Sequence, residues 1–226
     1  MKRIIPVAMI LVLALALMAS AAEPGTKMPM TFGVKAGISL ANTSGDSLKS
    51  LMEGISQKSR FGIVGGLSFC FAPSKSFAIQ PELLYVQKGT KFEAGMGDGK
   101  TTFKVDYLEI PVLVKFTPQL KDSKLSPALF AGPFVGLKMS GKAKSDGYGD
   151  TSLDGEKDIK DSLKSTDFGI TFGAGVGYKL TKGEVTFDIR YDLGFTKIVK
   201  AEAFDASAFD TKSTAIMFMI GYKFDI

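Results

Sequence analysis

The sequence of 226 residues contains no histidine and a single cysteine, Cys70. Hydrolytic enzymes usually recruit a histidine as general base, so its absence excludes the Ser-His-Asp class and most zinc sites. One cysteine cannot form an intramolecular disulfide, and Cys70, which lies between Phe69 and Phe71, is predicted to be a small buried side chain rather than a reactive thiol. We therefore expect no enzymatic activity and no cofactor.

Beyond its first 22 residues, the chain lacks an apolar run of the roughly 20 residues that a membrane-spanning helix needs. Residues 1–22 combine basic Lys2 and Arg3 with an apolar stretch from Val7 to Leu17 and the small residues Ala19-Ser20-Ala21. This pattern predicts a secretory signal peptide, which leaves residues 23–226 as a single domain. The formal net charge is +5, and removal of the two basic residues of the signal leaves +3, an excess that does not favour nucleic-acid binding.

The clearest pattern lies in residues 167–196. Apolar side chains alternate with glycine and polar residues from Phe168 to Leu180, and the alternation resumes from Val185 to Phe195 after the turn Thr181-Lys182-Gly183. Such period-two alternation predicts two strands, each with one apolar face. A tilted strand crosses the hydrocarbon layer with about 9–11 residues, and aromatic rings gather near the membrane interfaces. Both runs meet these criteria, so the hairpin is predicted to belong to a transmembrane β-barrel.

Similar alternation predicts six further strands, at residues 31–41, 60–72, 77–88, 102–116, 127–140 and 215–224. The connections are longer after each odd strand and shorter after each even strand. Bacterial outer-membrane barrels have short periplasmic turns and long outer loops, and closure supplies every backbone group with a partner in lipid. We therefore predict an all-β, eight-stranded, antiparallel up-and-down transmembrane β-barrel with four longer extracellular loops in the outer membrane.

Details of the strands and loops lead to four smaller predictions. Pro81 lies within the third strand, where its missing donor predicts a bulge or local irregularity. In the first loop, residues 43–59, the helical spacing of Leu48, Leu51, Met52 and Ile55 predicts a short amphipathic helix. The next loop is predicted at residues 89–101. The polar segment 141–165 is predicted to be a mobile loop, and its aspartates lack the spacing of a calcium site of the EF-hand type.

Three short motifs carry a resemblance to a known family. The sequence contains segments that resemble recurring motifs of the PorT-type outer-membrane β-barrel family. They are Gln80-Pro81-Glu82-Leu83-Leu84-Tyr85, Tyr107-Leu108-Glu109-Ile110-Pro111 with Lys115, and Gly132-Pro133. The resemblance implies the barrel fold, the outer membrane, and a role in protein export or surface assembly. The chain departs from the common barrel-assembly signal, which closes on an aromatic residue, because Asp225-Ile226 follow Phe224.

The predicted inward faces collect side chains of both charges. The cations are Lys35, Arg60, Lys88, Lys115, Lys138, Lys179, Arg190 and Lys223, and the acids are Glu82, Glu109, Asp188 and Asp192. The interior of an eight-stranded barrel is just wide enough for side chains to fill it, and unpaired buried charges are costly. A paired plug is therefore favoured over a proton or ion path. The glycines at positions 173, 175 and 177 are expected to leave room for large inward neighbours.

The leading hypothesis is a non-enzymatic integral outer-membrane protein with a structural or surface-interaction role. Its expected partners are outer-membrane lipid, the barrel-assembly machinery through the C-terminal strand, and an extracellular or envelope protein. The first alternative is a narrow outer-membrane channel. The second is a soluble periplasmic barrel that binds a lipid or another apolar ligand, with its apolar face inward. The glycines of the polar face disfavour this second alternative, because an exposed face gains nothing from lacking side chains.

Overall fold

The computed structural model describes residues 29–44, 55–94, 99–147, 154–199 and 211–226. The strands in these ranges are β1 Met30–Ser44, β2 Ile55–Phe71, β3 Phe77–Ala94, β4 Lys100–Phe116, β5 Leu125–Asp146, β6 Gly155–Asp158, β7 Thr166–Leu180, β8 Gly183–Gly194 and β9 Lys212–Asp225. A single 3-10 turn covers Lys160–Ser162. The predicted signal peptide lies outside the described residues. The alternation also predicts a last loop at residues 200–211, of which residues 200–210 lie outside the described residues.

Eight of these strands close into a barrel. Their order is β4-β3-β2-β1-β9-β8-β7-β5, and β5 pairs again with β4. Every pairing is antiparallel, and β6 adds only a four-residue ladder to the outer end of β5. The predicted eight-stranded antiparallel barrel is thus confirmed. Closure removes the free sheet edges, so the spanning strands leave no row of unpaired backbone groups in lipid.

The apolar faces of the barrel strands point outward. Leu129 and Ile220 are each 60% exposed, whereas the inward-facing Lys35, Arg190 and Asp192 are buried. This polarity is opposite to that of a water-soluble barrel, and it places an apolar band against the lipid. The alternative of a soluble barrel with its apolar face inward is therefore wrong. Cys70 is free and only partly buried, less than predicted, because it lies one residue from the inner end of β2.

The strands are longer at their outer ends than the sequence predicted. Residues 55–59 belong to β2, residues 89–94 to β3, residues 100–101 to β4 and residues 141–146 to β5. The prediction of a mobile loop over 141–165 is wrong for its described part, because residues 141–146 pair with β4 and residues 142–145 pair with β6. The sequence did not indicate these strands, because ladder pairing needs no apolar periodicity. Ile55 lies in β2 rather than in the predicted helix, whose other residues are outside the described ranges.

Two register shifts decide which side chains face outward near the outer end. One lies between Ser59 and Val64 in the β2–β3 ladder, and the other lies between Asp106 and Tyr107 in the β4–β5 ladder. A one-residue shift exchanges the two faces of a strand. At Pro81 the register is the same on both sides, so there is no bulge. The β2–β3 ladder does lack the pairs of Phe69 and Cys70 opposite Pro81 and Gln80, which is the local irregularity that the proline predicts.

Beyond the apolar band the outward positions become polar. On β3 the outward side chains beyond Tyr85 are polar, namely Gln87, Lys91 and Glu93. On β4 the outward side chains beyond Leu108 toward the outer end are also polar, namely Asp106, Lys104 and Thr102. On β5 the outward positions past the register shift are Ser140, Lys142 and Lys144. We call residues 86–94 of β3, 100–107 of β4 and 138–146 of β5, together with β6, the outer extension. Its polar outer face places it above the lipid.

Candidate functional site: the filled bore and the outer cavity

Four charged side chains form a first cluster across the middle of the bore. The Arg190 guanidinium donates to Glu82 at 2.6 Å and lies 3.2 Å from Asp188. The Lys35 ammonium donates to the same two carboxylates, at 2.9 Å for Glu82 and 2.5 Å for Asp188. Gln80 adds a hydrogen bond to Glu82 at 2.7 Å. With two cations and two anions in contact, this cluster is electroneutral, which offsets much of the cost of burying it.

A second cluster lies closer to the outer end. The Lys88 ammonium is 2.6 Å from a Glu109 oxygen and 2.9 Å from an Asp192 oxygen. The Thr171 hydroxyl donates to the other Asp192 oxygen at 2.6 Å. All three charged side chains are at most 2% exposed. Since Arg190 and Asp192 are inward neighbours on β8, the two clusters lie directly above one another in the bore.

Glycines of β7 and phenylalanines of β5 build two equivalent stacks beside these clusters. A Cβ atom on Gly173 would lie 2.8 Å from the Phe130 ring, and one on Gly169 would lie 2.5 Å from the Phe134 ring. On the other side of the rings, Arg190 lies 5.1 Å from the Phe130 centroid and Lys88 lies 4.6 Å from the Phe134 centroid. Each ring thus fills the space of a missing side chain and supports a cation through its π face. The sequence did not predict these stacks, although glycines of β7 were expected to leave room for large inward neighbours.

Five of the sequence-predicted charged residues lie apart from the two clusters. Lys223 pairs at 3.0 Å with Glu184, an acid that the sequence analysis missed although it opens β8. Among the described residues, the buried Lys115 lies beside Lys223 and makes no salt bridge. Lys179 is exposed near the inner end of β7. Lys138 donates to the carbonyl oxygens of Lys160 and Leu163 and so supports the 3-10 turn.

Arg60 is the fifth charged residue that lies apart from the two clusters. It lies 3.6 Å from Asp106 and donates to the Lys88 carbonyl oxygen, and Asp106 also accepts from the Tyr85 hydroxyl at 3.0 Å. Tyr85 belongs to the outward face of β3. On its other side Arg60 pairs with the buried Ala41 in the unshifted β1–β2 ladder, so the register shift between Ser59 and Val64 in the β2–β3 ladder does not reassign its face.

Above the second cluster, the outer extension encloses an unfilled cavity of about 580 Å³. Its apolar walls include Phe92, Phe103, Val105, Leu163, Ile198 and Val199. Lys88 and Ser213 lie at its floor, where the Ser213 hydroxyl donates to Asp167. Lys157 and Asp158 of β6 lie at the rim. No local sequence pattern predicts this site, because its walls come from β3, β4, the 3-10 turn and residues 198–199.

The described residues do not assemble a metal site. Within the described ranges, no group of three His, Cys, Asp or Glu side chains has the geometry to hold a metal ion. Over the same ranges, no helix has the length and apolar character required to cross a membrane. The buried carboxylates Glu82, Glu109 and Asp192 all contact cations within the bore. These contacts support barrel filling, and the outer cavity is an open concave site above the filled bore.

A closed antiparallel barrel with an apolar outer band and a charged, filled bore defines an integral β-barrel protein of the outer membrane. The sequence matches the family described as "Outer membrane protein beta-barrel domain" over residues 23–200. The chain belongs to this family, and its location is the outer membrane. No curated protein matches the sequence.

Solved structures of other outer-membrane barrels resemble the fold. OprG from Pseudomonas aeruginosa is 13% identical, with a TM-score of 0.51, over 88% of this chain and 97% of that one. Neisserial surface protein A is 16% identical, with a TM-score of 0.46, over 86% and 97% of the two chains. Ail from Yersinia pestis, solved with a heparin analogue, is 14% identical, with a TM-score of 0.43, over 87% and 100%. At these identities, the similarity to OprG shows the fold alone.

Proposed function

We propose that the protein is a non-enzymatic, non-conducting barrel that anchors its outer extension at the cell surface. The observation that supports this proposal is the charge pairing across the bore. The side chains of Arg190 and Glu82 are both fully buried, and their contact joins β8 to β3. An ion that passed this level would have to separate that pair and leave both charges without partners, which is strongly unfavourable.

Aromatic and aliphatic side chains complete the seal. Phe130, Phe134, Leu84 and Met217 are at most 5% exposed and face the bore. An eight-stranded barrel is narrow enough for such side chains to fill its interior without leaving a water column. The alternative of a narrow channel therefore has little support in this arrangement.

Planar bilayer recordings test the absence of conduction. Purified protein reconstituted in 1 M KCl should give no discrete current steps, while a general porin in the same bilayers gives them. The variant Arg190→Ala/Phe130→Ala, which removes the cation and its supporting ring, should give small steps if the barrel still closes. Regular steps from the wild-type protein would establish the channel alternative and overturn the proposal.

The finer role that we propose is a surface interaction linked to protein export or surface assembly. Its support is the resemblance to PorT-type motifs, in particular Gln80-Pro81-Glu82 and Tyr107-Leu108-Glu109. We propose an extracellular or envelope protein as partner, and recognition of the C-terminal strand by the barrel-assembly machinery. Deletion of the gene, followed by quantitative proteomics of secreted and surface proteins, tests this role. An unchanged set of exported proteins would remove export and leave the structural role.

A further inference from the structure

We propose that the cavity in the outer extension binds a small, uncharged, apolar molecule taken up from the external medium. This inference goes beyond the proposed function, because a barrel with a filled bore does not conduct ions whether or not the outer cavity holds a ligand. The cavity volume of about 580 Å³ falls within the range of about 300–1,000 Å³ that is typical of small-molecule sites.

The cavity differs from an ordinary hydrophobic core. Protein interiors are packed so densely that voids larger than a water molecule are few. Here Phe92 and Phe103 meet edge to face, 5.8 Å apart, and Leu163 packs with Val105 and Ile198, yet the space between these groups stays open. The walls are mostly apolar and offer water few hydrogen-bond partners, so an apolar ligand would be favoured over water in this space.

The polar groups around the cavity argue for an uncharged ligand. At the floor, the Lys88 ammonium is already paired with Glu109 and Asp192. The Ser213 hydroxyl is engaged by Asp167. The rim carries one charge of each sign, on Lys157 and Asp158. A charged ligand would therefore lose its hydration without gaining an unused counter-charge in the cavity.

The position of the cavity argues for a ligand from outside the cell rather than from the lipid. The outward faces of its walls carry polar side chains, and Lys104 and Lys142 bind Glu156 of β6 at 2.8 and 2.6 Å. These contacts hold β6 against β4 and β5 above the apolar band. Below, the two charged clusters fill the bore. The site is thus separated from the hydrocarbon layer by polar wall faces and from the periplasm by buried ion pairs.

Methyl NMR of the full chain in phospholipid nanodiscs, with naphthalene as the probe, tests this proposal. The methyl signals of Leu163 and Ile198 should shift with increasing naphthalene concentration until the site is saturated. The methyl signal of the lipid-facing Ile220 should instead change without saturation, because it reports only the partitioning of naphthalene into lipid. Val105→Trp fills the cavity and should weaken the saturable component at least tenfold. Val114→Trp, on the same strand but 48% exposed on the outer face, is the matched control and should leave it unchanged.

Three results would overturn the proposal. The first is the absence of saturable shifts at Leu163 and Ile198. The second is equal binding by Val105→Trp when the heat-dependent gel shift shows that this variant still closes its barrel. The third is a set of nuclear Overhauser contacts between the Ile198 methyl group and lipid acyl chains without naphthalene, which would make the cavity a lipid site.

Discussion

The Arg190 guanidinium on β8 contacts the Glu82 carboxylate on β3 at 2.6 Å, although the two residues are 108 positions apart in the chain. The two strands are not neighbours in the barrel, since β2, β1 and β9 lie between them on one side. The pair therefore crosses the bore instead of following its wall. This geometry ties opposite walls together and closes the passage at the same point.

Breaking this pair should destabilise the barrel strongly. Arg190→Met leaves Glu82 with Lys35 and Gln80 but without its closest cation, and we expect a loss of about 3–5 kcal/mol in the free energy of unfolding. Urea titration in lipid vesicles, followed by the gel mobility of unheated samples, measures this loss. Lys179→Met, at an exposed position, is the control and should change the free energy of unfolding by less than about 0.5 kcal/mol. Similar losses in the two variants would contradict the role of the pair.

The apolar band predicts a strong dependence on depth for charged substitutions on β9. Ile220 is in the middle of the outward apolar series of this strand and Thr214 is at its outer end. Ile220→Arg should cost about 2–4 kcal/mol, and Thr214→Arg about 0–1 kcal/mol, because arginine near the interface reaches water. The same urea titration compares the two variants. Equal costs would mean that the band does not lie at the level of Ile220.

The stack of Gly173, Phe130 and Arg190 predicts that a methyl group at Gly173 is poorly tolerated. Its Cβ would lie 2.3 Å from the Ile189 carbonyl oxygen as well as close to the ring of Phe130. Gly173→Ala should lower stability by about 1–3 kcal/mol through overpacking. Gly65→Ala is the matched control, because its Cβ would meet no atom closer than 3.4 Å. If Gly173→Ala left both the free energy of unfolding and the position of the Phe130 ring unchanged, the side chains of this stack would not be closely packed.

Outside the membrane, Glu156 predicts a pH dependence for the attachment of β6. Hydrogen bonds from Lys104 and Lys142 lower the pKa of the Glu156 carboxyl to about 2. Since an unperturbed glutamate has a pKa of about 4.3, the contacts contribute fully above that pH and are lost as the pH falls through the lowered value. Carbon-detected NMR titration of the Glu156 carboxyl group should give the low midpoint.

A charge-removal variant serves as the control for this titration. Lys104→Gln/Lys142→Gln should return the Glu156 midpoint to about 4.3, the ordinary value of a glutamate. A wild-type midpoint already at that value would mean that the two lysines do not hold β6 in solution.

The sequence by itself determined the strands and most of their faces. Alternation is a local property, because successive side chains of a strand point to opposite sides, and the length of the apolar runs sets the width of the band. For the same reason, Lys35, Glu82 and Arg190 were assigned to the bore without knowledge of the pairing. The longer outer ends of the strands escaped prediction, because polar residues there pair in ladders without an apolar pattern.

Only the tertiary structure decided which charges meet, where the alternation changes face, and where space stays open. Pairing across the bore depends on the stagger of eight strands, which no local pattern encodes. The shift between Ser59 and Val64 exchanges the faces of β2 between residues 55–59 and residues 64–71, since a single extra residue exchanges the faces of a strand. The outer cavity arises where β3 and β4 meet the 3-10 turn and residues 198–199. Its walls come from segments far apart in the chain, so it exists only in the closed barrel.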